Sequence, residues 1–172
     1  LLATGMPLFD SVIHSMGSAG TGGFSNRNAS VGAYGNPAAE WVIAVFMMLF
    51  GVNFSLYYLL LKRQVKDVFK NEEFRLYLGI IAAAVACMTL NIARDHYDGS
   101  WPDAIRSAFF QVSSIITTTG YSSTDFNLWP TFSKMVIVVL MVVGASAGST
   151  GGGIKVSRLL ALIKALREEF RR

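Results

Sequence analysis

The chain has 172 residues, 52% hydrophobic and 15% charged, with a net charge of +4 and a mean hydropathy of +0.44. Soluble domains average about 25% charged residues, so the composition argues against a soluble globular protein and for an integral membrane one. The one cysteine, Cys87, excludes an internal disulfide and a cysteine metal cluster, and the basic residues flank apolar stretches without the aromatic platform of a nucleic-acid binder.

The chain starts LLATGMPLFD, with neither an initiator Met nor a basic leader, as expected of a piece of a longer polypeptide. Residues 7–25 read as a short helix followed by a glycine-containing turn, Gly20 to Phe24 (GTGGF). This segment is too short and too polar to cross a membrane and is a candidate re-entrant loop. Asn28-Ala29-Ser30 fits a glycosylation acceptor by pattern alone. Residues 41–61 hold no ionisable group except tyrosines and match the roughly 20 residues that cross a hydrocarbon core. Their second half, GVNFSLYYLLLK, is expected to stay helical, with Asn53 making an interhelical hydrogen bond. Residues 62–75 carry five Lys/Arg and read as a cytoplasmic linker. A second span is expected at 76–93, a second short helix at 102–116, and a loop, TTTGYS, at 117–122. The last apolar stretch lies within 133–166 and is expected to be broken at 144–153, where five glycines fall among ten residues. Glycine costs a helix about 1 kcal/mol relative to alanine. His14 and His96 stand alone and suit packing better than ligation.

Charge sets the orientation. Five basic residues in 62–75 and six in 155–172 (Lys155, Arg158, Lys164, Arg167, Arg171, Arg172) place both segments in the cytoplasm. Both short helices then sit on the outer side. The two halves also align: Gly23 on Gly120, Phe24 on Tyr121 and Ser25 on Ser122, and further on Gly51 on Gly144 and Lys62 on Lys155. The fold class is therefore an all-α integral membrane protein built from tandem span–pore-loop–span repeats. Residues 1–61 make one repeat without its first span, and 76–172 make a complete one. Pro7 and Pro102 suit the first turn of a pore helix, and Asp10 and Asp103 favour its dipole there. The C-terminal ends of both helices then turn partial negative charge toward the loops, which suits a cation.

A dehydrated potassium ion needs oxygens in place of water, and backbone carbonyls supply them where glycine permits unusual dihedrals. Gly20, Thr21, Gly22 and Gly23 in the first loop, and Thr117, Thr118, Thr119 and Gly120 in the second, are the candidate ion-binding residues. The threonines add hydroxyls and stiff β-branched side chains that pack against the pore helix. Gly144, Gly148, Ser149, Thr150, Gly151, Gly152, Gly153 and Lys155 form a candidate gating loop below them. A phosphate-binding loop is excluded there, because Ile154 separates Gly153 from Lys155 and no strand precedes it.

AGTGGFS, FFQVSSIITTTGYSS and GASAGSTGGGIKVSRLL together resemble the Trk/Ktr/HKT potassium transporters, and within that superfamily the bacterial Trk-type membrane subunit. The resemblance implies four such repeats around one pore, of which this chain holds about two. It implies potassium as the transported ion at the loop carbonyls, with no cofactor in this chain. It also implies a homodimer, a cytosolic nucleotide-binding regulatory subunit on the cytoplasmic face, and a place in the plasma membrane. Two rival readings stay open from the residues: a sodium- and potassium-permeable member of the superfamily, or a non-transport membrane subunit whose glycines pack helices. A secondary carrier would need an inverted repeat, whereas the two copies run in the same orientation.

Overall fold

The computed structural model describes residues 1–170; Arg171 and Arg172, counted above among the C-terminal cations, lie outside the described residues. Among the described residues the chain forms eight α-helices and no β-strand. They are α1 (Leu8–Ala19), α2 (Pro37–Phe50), α3 (Phe54–Leu61), α4 (Val65–Lys70), α5 (Glu72–Asp95), α6 (Trp101–Ile116), α7 (Thr131–Val142) and α8 (Val156–Glu169).

Three asparagines start helices by accepting from the free amides of the first turn. Asn36 caps α2 through Ala38 N and Ala39 N, Asn53 caps α3 through Ser55 N, and Asn71 caps α5 through Phe74 N. Pro102 sits in the first turn of α6, where its missing N–H costs nothing. Pro7 instead occupies the position just before α1. Asp10 and Asp103 lie in the first turns of α1 and α6.

The centre of the molecule is α6. Along α5, Tyr77, Ile81, Ala84, Met88 and Ile92 recur at helical spacing and are all buried. They meet Ala104, Ala108, Val112 and Ile116 of α6, also one face of a helix. On another face, Phe110 joins Ala39, Ile43, Ala44 and Met47 of α2 and Tyr121 in a second cluster. A sixteen-residue helix, too short to span, is thus enclosed by protein on two sides. Arg106 ties it down further. Its Nε donates to Glu40 Oε2 of α2 at 2.8 Å, and its Nη1 to Asp103 Oδ1 at 2.7 Å.

Among the described residues, α5 is the helix long and apolar enough to cross a membrane, over Glu72–Arg94. It runs past the expected 76–93 at both ends. The stretch 62–75 is not all linker: it holds α4 and the first turn of α5.

The expected unbroken span over 41–61 is corrected. The helix ends at Phe50, restarts at Phe54 and turns by 93° between them. Tertiary contacts account for the bend. A Cβ on Gly51 would lie 2.3 Å from Tyr77 Oη and 2.8 Å from Thr117 Cγ2, so span and loop both press on this point. The carbonyls that the break exposes find hydroxyl donors, Tyr77 on Met48 O at 2.9 Å and Tyr57 on Leu49 O at 2.6 Å. Asn53, expected to bridge helices, instead caps the helix that restarts.

Two stability outcomes follow from this packing. Arg106→Met strands the buried Glu40 carboxylate and is expected to destabilise the protein by about 3–5 kcal/mol. Glu40→Leu/Arg106→Met should recover most of that, measured as the thermal midpoint in detergent. Gly51→Ala, helpful in a free helix, is expected to destabilise by about 1–3 kcal/mol here through overpacking; an unchanged midpoint would refute the contact with Tyr77 and Thr117.

Candidate functional site

Both short helices end in the same way. After α1, Gly20 N bonds Met16 O, Thr21 N bonds Ser18 O and Gly22 N bonds Gly17 O. After α6, Thr117 N bonds Ser113 O, Thr118 N bonds Ile115 O and Thr119 N bonds Ser114 O. Each bond in the second set lies 97 positions after its partner in the first. The dihedrals repeat too. Thr21 and Thr118 have φ of 49° and 58°, and Gly23 and Gly120 have φ of 67° and 86°. A threonine at positive φ is strained by roughly 1–3 kcal/mol and persists only where its surroundings fix it.

The loop amides therefore turn back onto the C-terminal carbonyls of their helices. Among the described residues, no donor meets the carbonyls of Thr117, Thr118, Thr119 or Gly120. The two loops touch. A Cβ on Gly23 would lie 1.8 Å from Thr119 O and 3.4 Å from the Gly120 carbonyl carbon. Only glycine fits there, for space as well as for φ.

Tyr121 locks one loop to the other. Its hydroxyl donates to Phe24 O at 3.2 Å, and its ring lies 5.3 Å from that of His14. A Cβ on Gly17 would sit 2.0 Å from Tyr121 Oη. His14 is fully buried; Asp10 O can only accept, so Nδ1 carries a proton and donates to it at 2.7 Å, leaving Nε2 facing Ser25 Oγ at 3.0 Å. The Asp10 carboxylate accepts from Tyr34 Oη at 2.7 Å and Asn26 Nδ2 at 2.6 Å, and these bonds hold it below the usual carboxylate range, helped by Arg27. Asp103 is likewise held low by Ser100 first and Arg106 second.

The threonine hydroxyls do not act alike. Thr117 Oγ1 donates to Ser113 O at 2.6 Å and accepts from Thr119 Oγ1 at 2.8 Å, so both buried hydroxyls face the C-terminal end of α6. Thr118 points the other way and accepts from Gly152 N at 2.6 Å. Thr21 Oγ1 shares its proton between Gly20 O at 2.8 Å and Thr150 O at 3.0 Å. The bonds to Gly152 and Thr150 join both loops to the glycine-rich segment.

Between α7 and α8, residues 143–155 are not helical. The limbs pair at their base: Gly144 N bonds Ile154 O, Ile154 N bonds Val142 O and Val156 N bonds Ala145 O. Gly144 permits this, since a Cβ there would lie 2.1 Å from Gly152 O. Gly148 and Gly153 have φ of 68° and 72°. Gly151 packs under Thr117, where a Cβ would be 3.0 Å from Thr117 O. Ser149 Oγ closes a turn onto Ser146 O, and Lys155 Nζ folds back to donate to Gly151 O. The segment also rests on the bend in the first span, through Ser146 N to Gly51 O and Phe54 N to Gly148 O.

The candidate residues at 20–23, 117–120 and 144–155 thus meet in one place. Sequence reasoning missed the bend at 51–53 and the Glu73 carboxylate, which accepts from Ala147 N at 2.6 Å. It also missed Gly17. The signal for the bend was present in the Gly51–Gly144 alignment, which pairs it with the start of the other break. Among the described residues no group of three His, Cys, Asp or Glu side chains is placed to hold a metal, so any cation at this site would meet main-chain and hydroxyl oxygens.

Residues 3–172 match the family model described as "Cation transport protein", TrkH. The Trk system potassium uptake protein TrkH of Salmonella typhimurium is 37% identical over 98% of this chain and 35% of its own length. The same protein of Escherichia coli K12 is 36% identical with the same coverage, and TrkI of Halomonas elongata is 32% identical over 97% of this chain and 34% of its own length. The crystal structure of the potassium transporter TrkH from Vibrio parahaemolyticus superposes with a TM-score of 0.88 at 34% identity, covering 99% of this chain and 37% of that one. The chain spans about a third of the length of the relatives it matches. The all-helical fold of a membrane transporter, the glycine-rich motifs and these likenesses agree: the chain belongs to the TrkH family of cation transport proteins.

Proposed function

We propose that this chain supplies two of the repeats that line a potassium-uptake pore in the plasma membrane. The observation that carries the reading is the pair of matching loops in contact at Gly23 and Thr119. In an extended strand successive carbonyls point to opposite sides. Reversing the sign of φ at alternate residues brings successive carbonyls toward one side, and positive φ at Thr21, Gly23, Thr118 and Gly120 supplies that reversal. Carbonyls of Gly20–Gly23 and Thr117–Gly120 then replace the water of a potassium ion; among the described residues Gly20 O alone of these has a protein donor, Thr21 Oγ1 at 2.8 Å. The names of the relatives, potassium uptake proteins, support the choice of ion.

The ion moves passively down the membrane potential, worth about 2.3 kcal/mol per charge per 100 mV. Residues 144–153 act as the gate, because they lie directly against Thr21, Thr117 and Thr118 and hold few side chains. Lys155 stabilises one position of that loop through Gly151 O. Further repeats of the same polypeptide complete the ring. Segment 62–75 and the C-terminal helix face the cytoplasm, where a nucleotide-binding regulatory subunit docks on a homodimer. That the relatives are named as parts of a Trk system supports partner subunits.

Gly120→Ser in the full-length transporter is expected to lower discrimination between rubidium and sodium about tenfold, as roughly 1–3 kcal/mol of strain enters at positive φ. Nothing lies within 4 Å of a Cβ at Gly120, so the effect is one of backbone conformation and not of crowding. Unchanged selectivity in tracer uptake would overturn the filter assignment. Deleting residues 148–152 is expected to raise rubidium leak in the resting transporter; a loss of flux at normal membrane abundance would overturn the gate assignment.

A further inference from the structure

The glycine-rich segment is held from outside at three places. Its tip meets the loops at Thr21 and Thr118, and its incoming limb meets the bend through Gly51 O and Phe54 N and, between those two bonds, Glu73. Among the described residues, Glu73 is the acidic side chain from another helix that bonds this backbone. It sits in the first turn of α5, where a carboxylate favours the helix dipole. Capping does not explain it. Asn71 is the N-cap and Phe74 occupies the position from which a capping-box acid would reach back, so Glu73 is free to turn outward. It does so toward Ala147 N, and a charge-assisted bond of this kind is about twice as strong as a neutral one. The neighbouring Glu72 pairs with Lys164 of α8, but both side chains are more than half exposed, and such a pair contributes little.

We propose that Glu73 is a positioning residue for the gate. Its carboxylate, fixed on the end of a rigid span, holds the incoming limb at Ala147 against the bend and so keeps the loop seated under Thr117 and Thr118. Removing the carboxylate takes away one of three bonds at this point of the limb, leaving Ser146 N on Gly51 O and Phe54 N on Gly148 O, and so loosens it without touching the ion path. The inference rests on the reading of 144–153 as the gate.

The test uses the full-length transporter. Rubidium leak is measured for Glu73→Ala, Glu73→Gln, Glu72→Ala and the deletion of 148–152. Loop exposure is measured separately, as the rate at which a cationic thiosulfonate modifies Thr150→Cys after replacement of Cys87 and any other cysteine. Glu73→Ala is expected to raise both leak and labelling about tenfold, the size of a lost bond to a charged group. Glu73→Gln, which keeps an acceptor in place, should raise them less, and Glu72→Ala should change neither. If the deletion raises leak while Glu73→Ala leaves leak and labelling at their original values, the positioning role is overturned and the gate reading stands. If the deletion does not raise leak, the gate reading fails, and unchanged labelling in Glu73→Ala overturns the anchor as well. Should Glu73→Ala not accumulate in the membrane, labelling of Glu73→Gln at the original rate overturns the proposal.

Discussion

Buried backbone amides and carbonyls must find partners, and the loops of this chain satisfy that demand unequally. In both, the amides turn back onto the last carbonyls of their own short helix, by the same three bonds in each copy. The carbonyls of Thr117–Gly120 meet no donor among the described residues, and in the first loop Gly20 O takes the Thr21 hydroxyl while the carbonyls of Thr21–Gly23 are left over. A loop arranged this way is stable only because α6 is enclosed between α5 and α2 and because the neighbouring loop covers its inner edge at Gly23. Everything cation-binding in the proposed function descends from that asymmetry between satisfied donors and free acceptors.

The glycines serve separate ends. Gly23 and Gly120 share a backbone conformation, but Gly23 is also confined by Thr119 O, whereas open space surrounds Gly120. Gly17 makes room for a tyrosine hydroxyl and Gly51 for another. Gly144 lets the two limbs of the glycine-rich segment approach at their base. Steric room and dihedral freedom are thus distributed over different residues, and substitutions at them are expected to fail for different reasons.

The three threonines divide their labour by direction. Thr117 and Thr119 turn their hydroxyls inward and fasten the loop to the end of α6, while Thr118 reaches the glycine-rich segment. The bend at Gly51–Asn53 touches that same segment and, through Thr117, the loop above. Bend, loop and glycine-rich segment therefore form one continuous contact network, in which a shift at any member is felt by the others as lost hydrogen bonds.

Local sequence was enough for the helical class, the family and the long α5: an uncharged run between charged flanks has no other economical fold, and the glycine-rich motifs are rare combinations. Five glycines also marked 144–153 as a poor helix, since the penalty per residue is intrinsic to the backbone, and residues 143–155 are not helical. Local sequence was not enough for the bend in the first span. FGVNFS contains one glycine, which a helix tolerates at about 1 kcal/mol, and only the arrival of Tyr77 and Thr117 from elsewhere, with Tyr57 and Tyr77 to receive the freed carbonyls, makes the break stable. The same holds for Tyr121 on Gly17 and for Glu73 on Ala147, contacts between residues 104 and 74 positions apart. Such pairings have no local signature, because the energy that selects them exists only once the helices have packed.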